Sequence, residues 1–173
     1  MYLAFNYKGL AFQENSYFLE HDHLITIVGS LGILANGLFR IMWGYLFDKF
    51  SYETLIRTIN LVLLACCALV LLAVEYFASY LVLVIMSYLA YGGIYALMPT
   101  QCVRVMGQKV GTKVFWAVFS GFSISAVLQF CIQYFLVTNY GTKGYLYCVI
   151  IFLALEIVGL IMSFKIKFDY VES

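Results

Sequence analysis

Five stretches of this chain, near 24–47, 55–77, 79–99, 114–136 and 144–165, are apolar over the length of about 20 residues that a helix needs to cross a bilayer. That single feature narrows the possible folds sharply. A backbone surrounded by hydrocarbon must satisfy its own hydrogen bonds, and a helix does so within one segment. The short alternating segments of a membrane barrel do not appear. The sequence therefore predicts an all-α, polytopic membrane bundle in one domain, 1–173, with five full transmembrane helices and a partial one. Composition points the same way: 64% of residues are hydrophobic and 11% charged, whereas soluble domains carry roughly a quarter charged residues. The first partner is the lipid bilayer, and a net charge of +1 gives no reason to expect nucleic acid.

The partial helix is expected at the start. In MYLAFNYKGLAFQENSYFLE, residues 1–20, the apolar part is too short to cross a membrane and too apolar for an ordinary soluble tail. It reads as the last turns of a truncated helix, followed by an outer loop to residue 23; an interfacial amphipathic segment is the alternative. No secretory leader pattern follows Met1. Four connectors separate the full spans: DKFSYET, EYFAS, the longer and basic TQCVRVMGQKVGTK, and TNYGTKG. Pro99 is expected to end the third span, where a helix would lose its next hydrogen bond.

Charge orients such a bundle. Sorting alternate connectors places Lys49, Arg57, Arg104, Lys109, Lys113, Lys165 and Lys167 on one side, against Lys8 and Lys143 on the other. Basic residues near span ends favour the cytoplasmic face. The loops at 48–54 and 100–113 and the tail 166–173 are thus expected in the cytoplasm, and the protein is expected to be an integral, multi-pass membrane protein with a cytoplasmic C-terminus.

Few side chains in the spans carry chemistry. Gly32, Asn36, Arg40 and Gly44 recur every four residues, so they form one slowly turning stripe on the first full helix. Small residues in such a stripe admit a neighbouring helix, and polar ones then point into the bundle. Arg40 lies about 12 Å from the polar end of its helix at the standard rise per residue. An intramembrane charge is costly without a wet cavity or a partner, so Arg40 reads as part of an anion path; snorkelling to the interface is the plain alternative. Ala117, Gly121 and Ser125 make a second stripe, suited either to rocking helices or to packing. Gly92 and Gly93 permit a bend or close packing. Glu156, midway along the last span, is a possible proton or charge site, or a protonated, hydrogen-bonded acid. His21 and His23 flank Asp22 in what reads as a solvated loop. Cys66, Cys67, Cys131 and Cys148 fall within apolar runs and Cys102 in a connector, without metal-ligand spacing, so all five are read as packing residues. No nucleophile set, metal cluster or phosphate-cradling loop stands out, and neither an enzyme nor a cofactor is expected.

Three blocks in order carry a resemblance. GYLFDKFS, Gly44 to Ser51, resembles the G-x-L-x-D-R/K-x-G signature of the major facilitator superfamily. The longer N-G-x-x-R-x-x-W-G-x-x-x-D-K string, Asn36 to Lys49, looks like the eighth-helix version in the oxalate/formate-antiporter and monocarboxylate-porter-like branch. YGGIYALMPT, Tyr91 to Thr100, and the run from Gly107 to Phe115 are similar to the end of that branch's tenth helix and the entry to its eleventh. The resemblance implies the C-terminal six-helix half of a secondary transporter, with its first helix cut short, that moves a small anionic solute by alternating access together with an N-terminal half. It implies that Asp48, Lys49 and Gly44 belong to a cytoplasmic gate, although Ser51 replaces the signature's later glycine. It also implies that Arg40 binds the substrate's carboxylate beside Asn36. The eleventh-helix lysine of the oxalate-transporting members has no counterpart; Phe122 and Ser123 stand near its position. That favours a monocarboxylate or another small organic anion over a dicarboxylate. The alternative to a transporter half is a non-transporting structural subunit of a membrane complex.

Overall fold

The structure, a computed structural model, describes residues 6–11, 20–73 and 75–165, of Thr142 the backbone alone. Among these residues almost every position is helical and no strand occurs. The long elements are α1 (Asp22–Phe47), α2 (Tyr52–Ala73), α3 (Phe77–Tyr140) and α4 (Thr142–Lys165). All four are long and apolar enough to cross a membrane. Of the expected outer loop up to residue 23, the part 12–19 and likewise the tail 166–173 lie outside the described residues; Asp22 and His23, read as loop, instead open α1, and Asp22 pairs with Lys8 at 2.8 Å.

At 64 residues α3 would run about 96 Å if straight. It is not straight. Gly107 has φ 73° and ψ 162°, a backbone conformation that a residue without a Cβ adopts at little cost. There the chain reverses, and the arm 108–140 returns along the arm 77–106. Gly111 seals the hairpin, because a Cβ on it would stand 2.4 Å from the carbonyl oxygen of Cys102. Higher up, the rings of Tyr95 and Phe119 meet at 5.8 Å. Gly141, with φ 56°, makes the next reversal, and Gly144 comes against the Leu136 carbonyl.

This arrangement corrects two expectations. The stretch 100–113 is not a loop but two helix ends joined at Gly107, so Cys102 is helical. Pro99 does not end a span; it sits inside the helix, which runs on past it. Proline removes one backbone donor there, and the Thr100 hydroxyl donates to the Ala96 carbonyl at 3.1 Å alongside. Polar composition was mistaken for irregular backbone, whereas a helix leaving the membrane keeps its own hydrogen bonds among polar side chains. Helix also covers most of each of the other apolar stretches, with α2 ending at Ala73 and the 108–140 arm extending beyond 114–136 at both ends.

Two clusters form the core. Near the Asp22 end, Ile25 and Val28 of α1 meet Cys66, Cys67 and Val70 of α2, Tyr80 and Val84 of α3, and Cys148 and Val149 of α4. The helical segment 6–11 joins this cluster. Its Leu10 and Ala11 are buried, Tyr7 lies over Gly29, and the Tyr80 hydroxyl donates to the Tyr7 carbonyl. Toward the other end Trp43 and Phe47 pack with Tyr52, Leu55, Ile59, Tyr91 and Leu97. Three of the cysteines, Cys66, Cys67 and Cys148, are buried packing residues as expected, and Cys131 is exposed.

The outer surface is apolar. Ile33, Leu34 and Ile41 on α1, Ile124 and Phe130 on the 108–140 arm, and Leu155 and Ile161 on α4 are all exposed. Contiguous apolar faces of that extent are unfavourable in water and suited to lipid. Lys49, Arg57 and Arg104 gather at one end, while Lys8 pairs with Asp22 at the other. Arg104 stacks 5.0 Å from the Phe47 ring, and Lys49 lies 4.4 Å over Tyr45. Arg57 donates to the Ser163 carbonyl at 3.4 Å, where α4 ends and its backbone carbonyls attract a cation.

Gly92 makes a close backbone approach between α1 and α3: a Cβ on it would stand 2.7 Å from the Asn36 carbonyl oxygen. Neither Gly92 nor Gly93 bends the helix; both serve packing, Gly93 against Trp43 and Ile59. Overpacking a tight contact costs about 1–3 kcal/mol, so Gly92→Ala is expected to lower the thermal unfolding midpoint in detergent. At Gly121 nothing lies within 4 Å. There the same change is expected to be neutral or to raise the midpoint slightly, since alanine loses less backbone freedom in a helix.

Candidate anion site at Arg40

Asn36 is held at the helix crossing by its own neighbours. Its Nδ2 donates to the Tyr88 carbonyl at 3.0 Å, while Gly32, one turn earlier, lets the Tyr88 ring lie against α1. Two turns later, Trp43 Nε1 donates to the Leu89 carbonyl at 2.9 Å and fixes the rotation of α1 against α3. With its amide nitrogen engaged, Asn36 turns its Oδ1 toward the next residue of the stripe, and Arg40 Nη2 donates to it at 2.9 Å.

That bond sets the direction of the guanidinium. It points back along α1, toward the N-terminus, as long helical side chains do. It therefore points away from the end that carries Lys49. The Tyr95 ring supports it from α3, with the guanidinium carbon 5.2 Å from the ring centroid, an attraction worth about 0.5–2 kcal/mol depending on desolvation. One Nη and one face of the group are thus engaged, and the side chain as a whole is exposed. Gly37 and Gly44 flank it along the helix, and neither has anything within 4 Å. The remaining donors form a planar fork that matches a carboxylate.

The structure joins Asn36 and Arg40 and leaves the other expected residues apart from them. Ser123 is exposed on the 108–140 arm. Its neighbour Phe122 reaches the site instead, 6.3 Å from Tyr95. Gly44 is part of the stripe by spacing, yet among the described residues nothing lies within 4 Å of a Cβ placed on it. Asp48 is exposed and, among the described residues, makes no ion pair. Glu156 is half-buried on α4 and interacts electrostatically with Tyr91 of α3 and Cys67 of α2. Ala117, Gly121 and Ser125 are all exposed.

The sequence reading missed Tyr88, Tyr95 and Phe119 as parts of the site. Their spacing was visible, with Tyr88, Tyr91 and Tyr95 recurring at helical intervals and Phe115, Phe119 and Phe122 doing the same. Which of these rings faced Arg40 depended on the rotation of α3. Gln101 was missed as well: it is 3% exposed, and neither atom of its amide has a hydrogen-bond partner among the described residues.

Comparison with family models, with curated proteins and with solved structures found no match. The site therefore rests on its own geometry. A hydrogen bond contributes about 0.5–1.5 kcal/mol net. Asn36→Ala, which removes two, is expected to destabilise the fold by roughly 1–3 kcal/mol in denaturant unfolding. Ser123→Ala is expected to change stability by less than about 0.5 kcal/mol.

Proposed function

We propose that this chain is one half-bundle of a secondary transporter, with five full spans, that carries a small, anionic, monocarboxylate-like solute by alternating access. The observation that supports this reading is Arg40: a guanidinium within a membrane span, anchored on one side by Asn36 and Tyr95, directed away from the basic end and flanked by two uncovered glycines. A charge so placed needs water or a partner. In a transporter made of two halves both are supplied by the central path, which lies between the halves near the bilayer midplane. The second half would be an N-terminal bundle, from the same parent chain or a separate one, and it would cover the exposed stripes of α1 and of the 108–140 arm. The signature-like turn, with Gly44, Asp48 and Lys49, would close against that half at the basic, cytoplasmic end. Glu156, away from Arg40 and near Tyr91, fits an auxiliary charge site better than a substrate ligand.

A second reading is favoured by the exposed Asp48, which has no ion pair among the described residues, and by the absence of a basic residue in 114–140. In that reading the chain is a structural subunit that keeps the fold of a transporter half without transport.

Uptake separates the two. The chain, purified from its native membrane with its bound partner and reconstituted in vesicles, is expected to take up labelled lactate or formate saturably. A charge-assisted hydrogen bond is worth about 1.5–3 kcal/mol, so Arg40→Ala is expected to cut kcat/KM for uptake by at least about tenfold. Uptake indifferent to Arg40 would remove its role, and no uptake of any small anion would favour the structural subunit. Sidedness is checked by single cysteines in a background without the native ones: Asp48→Cys is expected to react with an impermeant thiol reagent only from the cytoplasmic side, and Asn139→Cys only from the opposite side.

A further inference from the structure

Where a second cation would be needed to hold a second carboxylate, the 108–140 arm presents rings. Phe115, Phe119 and Phe122 recur at intervals of four and three residues, so they share one face of the arm. Phe119 lies 5.4 Å from Phe115 and 6.0 Å from Phe122. The same face meets Tyr95, at 5.8 Å from Phe119 and 6.3 Å from Phe122. Tyr95 in turn carries the Arg40 guanidinium 5.2 Å from its centroid. A cation and an aromatic wall are thus joined through one shared ring. All four residues are half-buried, so part of each stays accessible.

We propose that the anion held at Arg40 is a monocarboxylate with a flat apolar body, an aromatic acid rather than a short hydrophilic one. The inference rests on the reading of Arg40 as an anion anchor. A carboxylate on the free edge of the guanidinium forms charge-assisted hydrogen bonds. The body behind it then lies over Phe119 and Phe122, where a ring gains edge-to-face or offset contacts and leaves water. A second carboxylate in that position would give up its hydration without a donor to replace it. Oxalate is therefore disfavoured by the same surface that favours an aromatic acid.

The test is equilibrium binding of tritiated phenylacetate to the protein purified with its bound partner in lipid nanodiscs, competed by unlabelled phenylacetate, acetate and oxalate. Phenylacetate is expected to bind at least about tenfold more tightly than acetate, and oxalate no better than acetate. Phe122→Ala and Phe119→Ala are expected to narrow that gap to about twofold; Phe122→Tyr, which keeps the ring, is expected to preserve it. Arg40→Gln is expected to abolish binding of both acids. Equal affinity for phenylacetate and acetate, tighter binding of oxalate, or a gap that survives both alanine variants would overturn the aromatic preference and leave the anion anchor standing. Failure of every carboxylate to bind would overturn both.

Discussion

The crossing of α1 and α3 at Asn36 and Gly92 is the contact on which the rest of the structure depends. Gly92 has no side chain, so the Asn36 backbone can lie against it, and that approach brings the Asn36 amide within reach of the Tyr88 carbonyl. In hydrocarbon there is little hydrophobic force between helices, and association rests on close packing and on polar bonds between them. The crossing supplies both. It also fixes rotation, since Trp43 can reach the Leu89 carbonyl only when α1 turns this face to α3. Arg40 follows one turn after Asn36, and its direction is a consequence of that rotation.

From that crossing the polar chemistry of the bundle extends in one direction. Asn36 holds Arg40, Arg40 rests on Tyr95, and Tyr95 reaches the rings of the 108–140 arm. That arm is there because Gly107 reverses the chain and Gly111 lets the two arms of α3 close on each other. Two glycines in a basic, polar stretch therefore place an aromatic wall beside a guanidinium more than sixty residues away in sequence. The outer faces stay apolar and lipid-like, while Arg40 and the stripe of Ala117, Gly121 and Ser125 stay exposed among the described residues.

The helical spans were legible because hydrocarbon leaves the backbone so few options that apolar length alone nearly specifies a helix. The stripe of Gly32, Asn36 and Arg40 was legible too, since a spacing of four residues sets a helix face without knowledge of the partner. What the stripe packed against was not legible. Tyr88 and Tyr95 enter only through the relative rotation of two helices, which is decided by the sum of contacts along the crossing. The stretch around Gly107 misled for a different reason. TQCVRVMGQKVGTK is polar enough for a loop, but polarity marks where a chain leaves lipid, not where a helix stops. Pro99 misled similarly, because losing one hydrogen bond inside a long, packed helix does not outweigh the bonds on either side of it.

Whether Arg40 faces water or lipid is the central claim, and a nitroxide attached at Arg40→Cys reports it directly. The probe is read in bilayers with the native partner present and the native cysteines replaced, beside a second probe at Leu38→Cys, which is at nearly the same depth on another face of α1. Collisions with a water-soluble nickel chelate are expected to dominate at position 40, and collisions with oxygen dissolved in lipid at position 38. Oxygen-dominated relaxation at both positions would place the site against lipid tails and contradict the account.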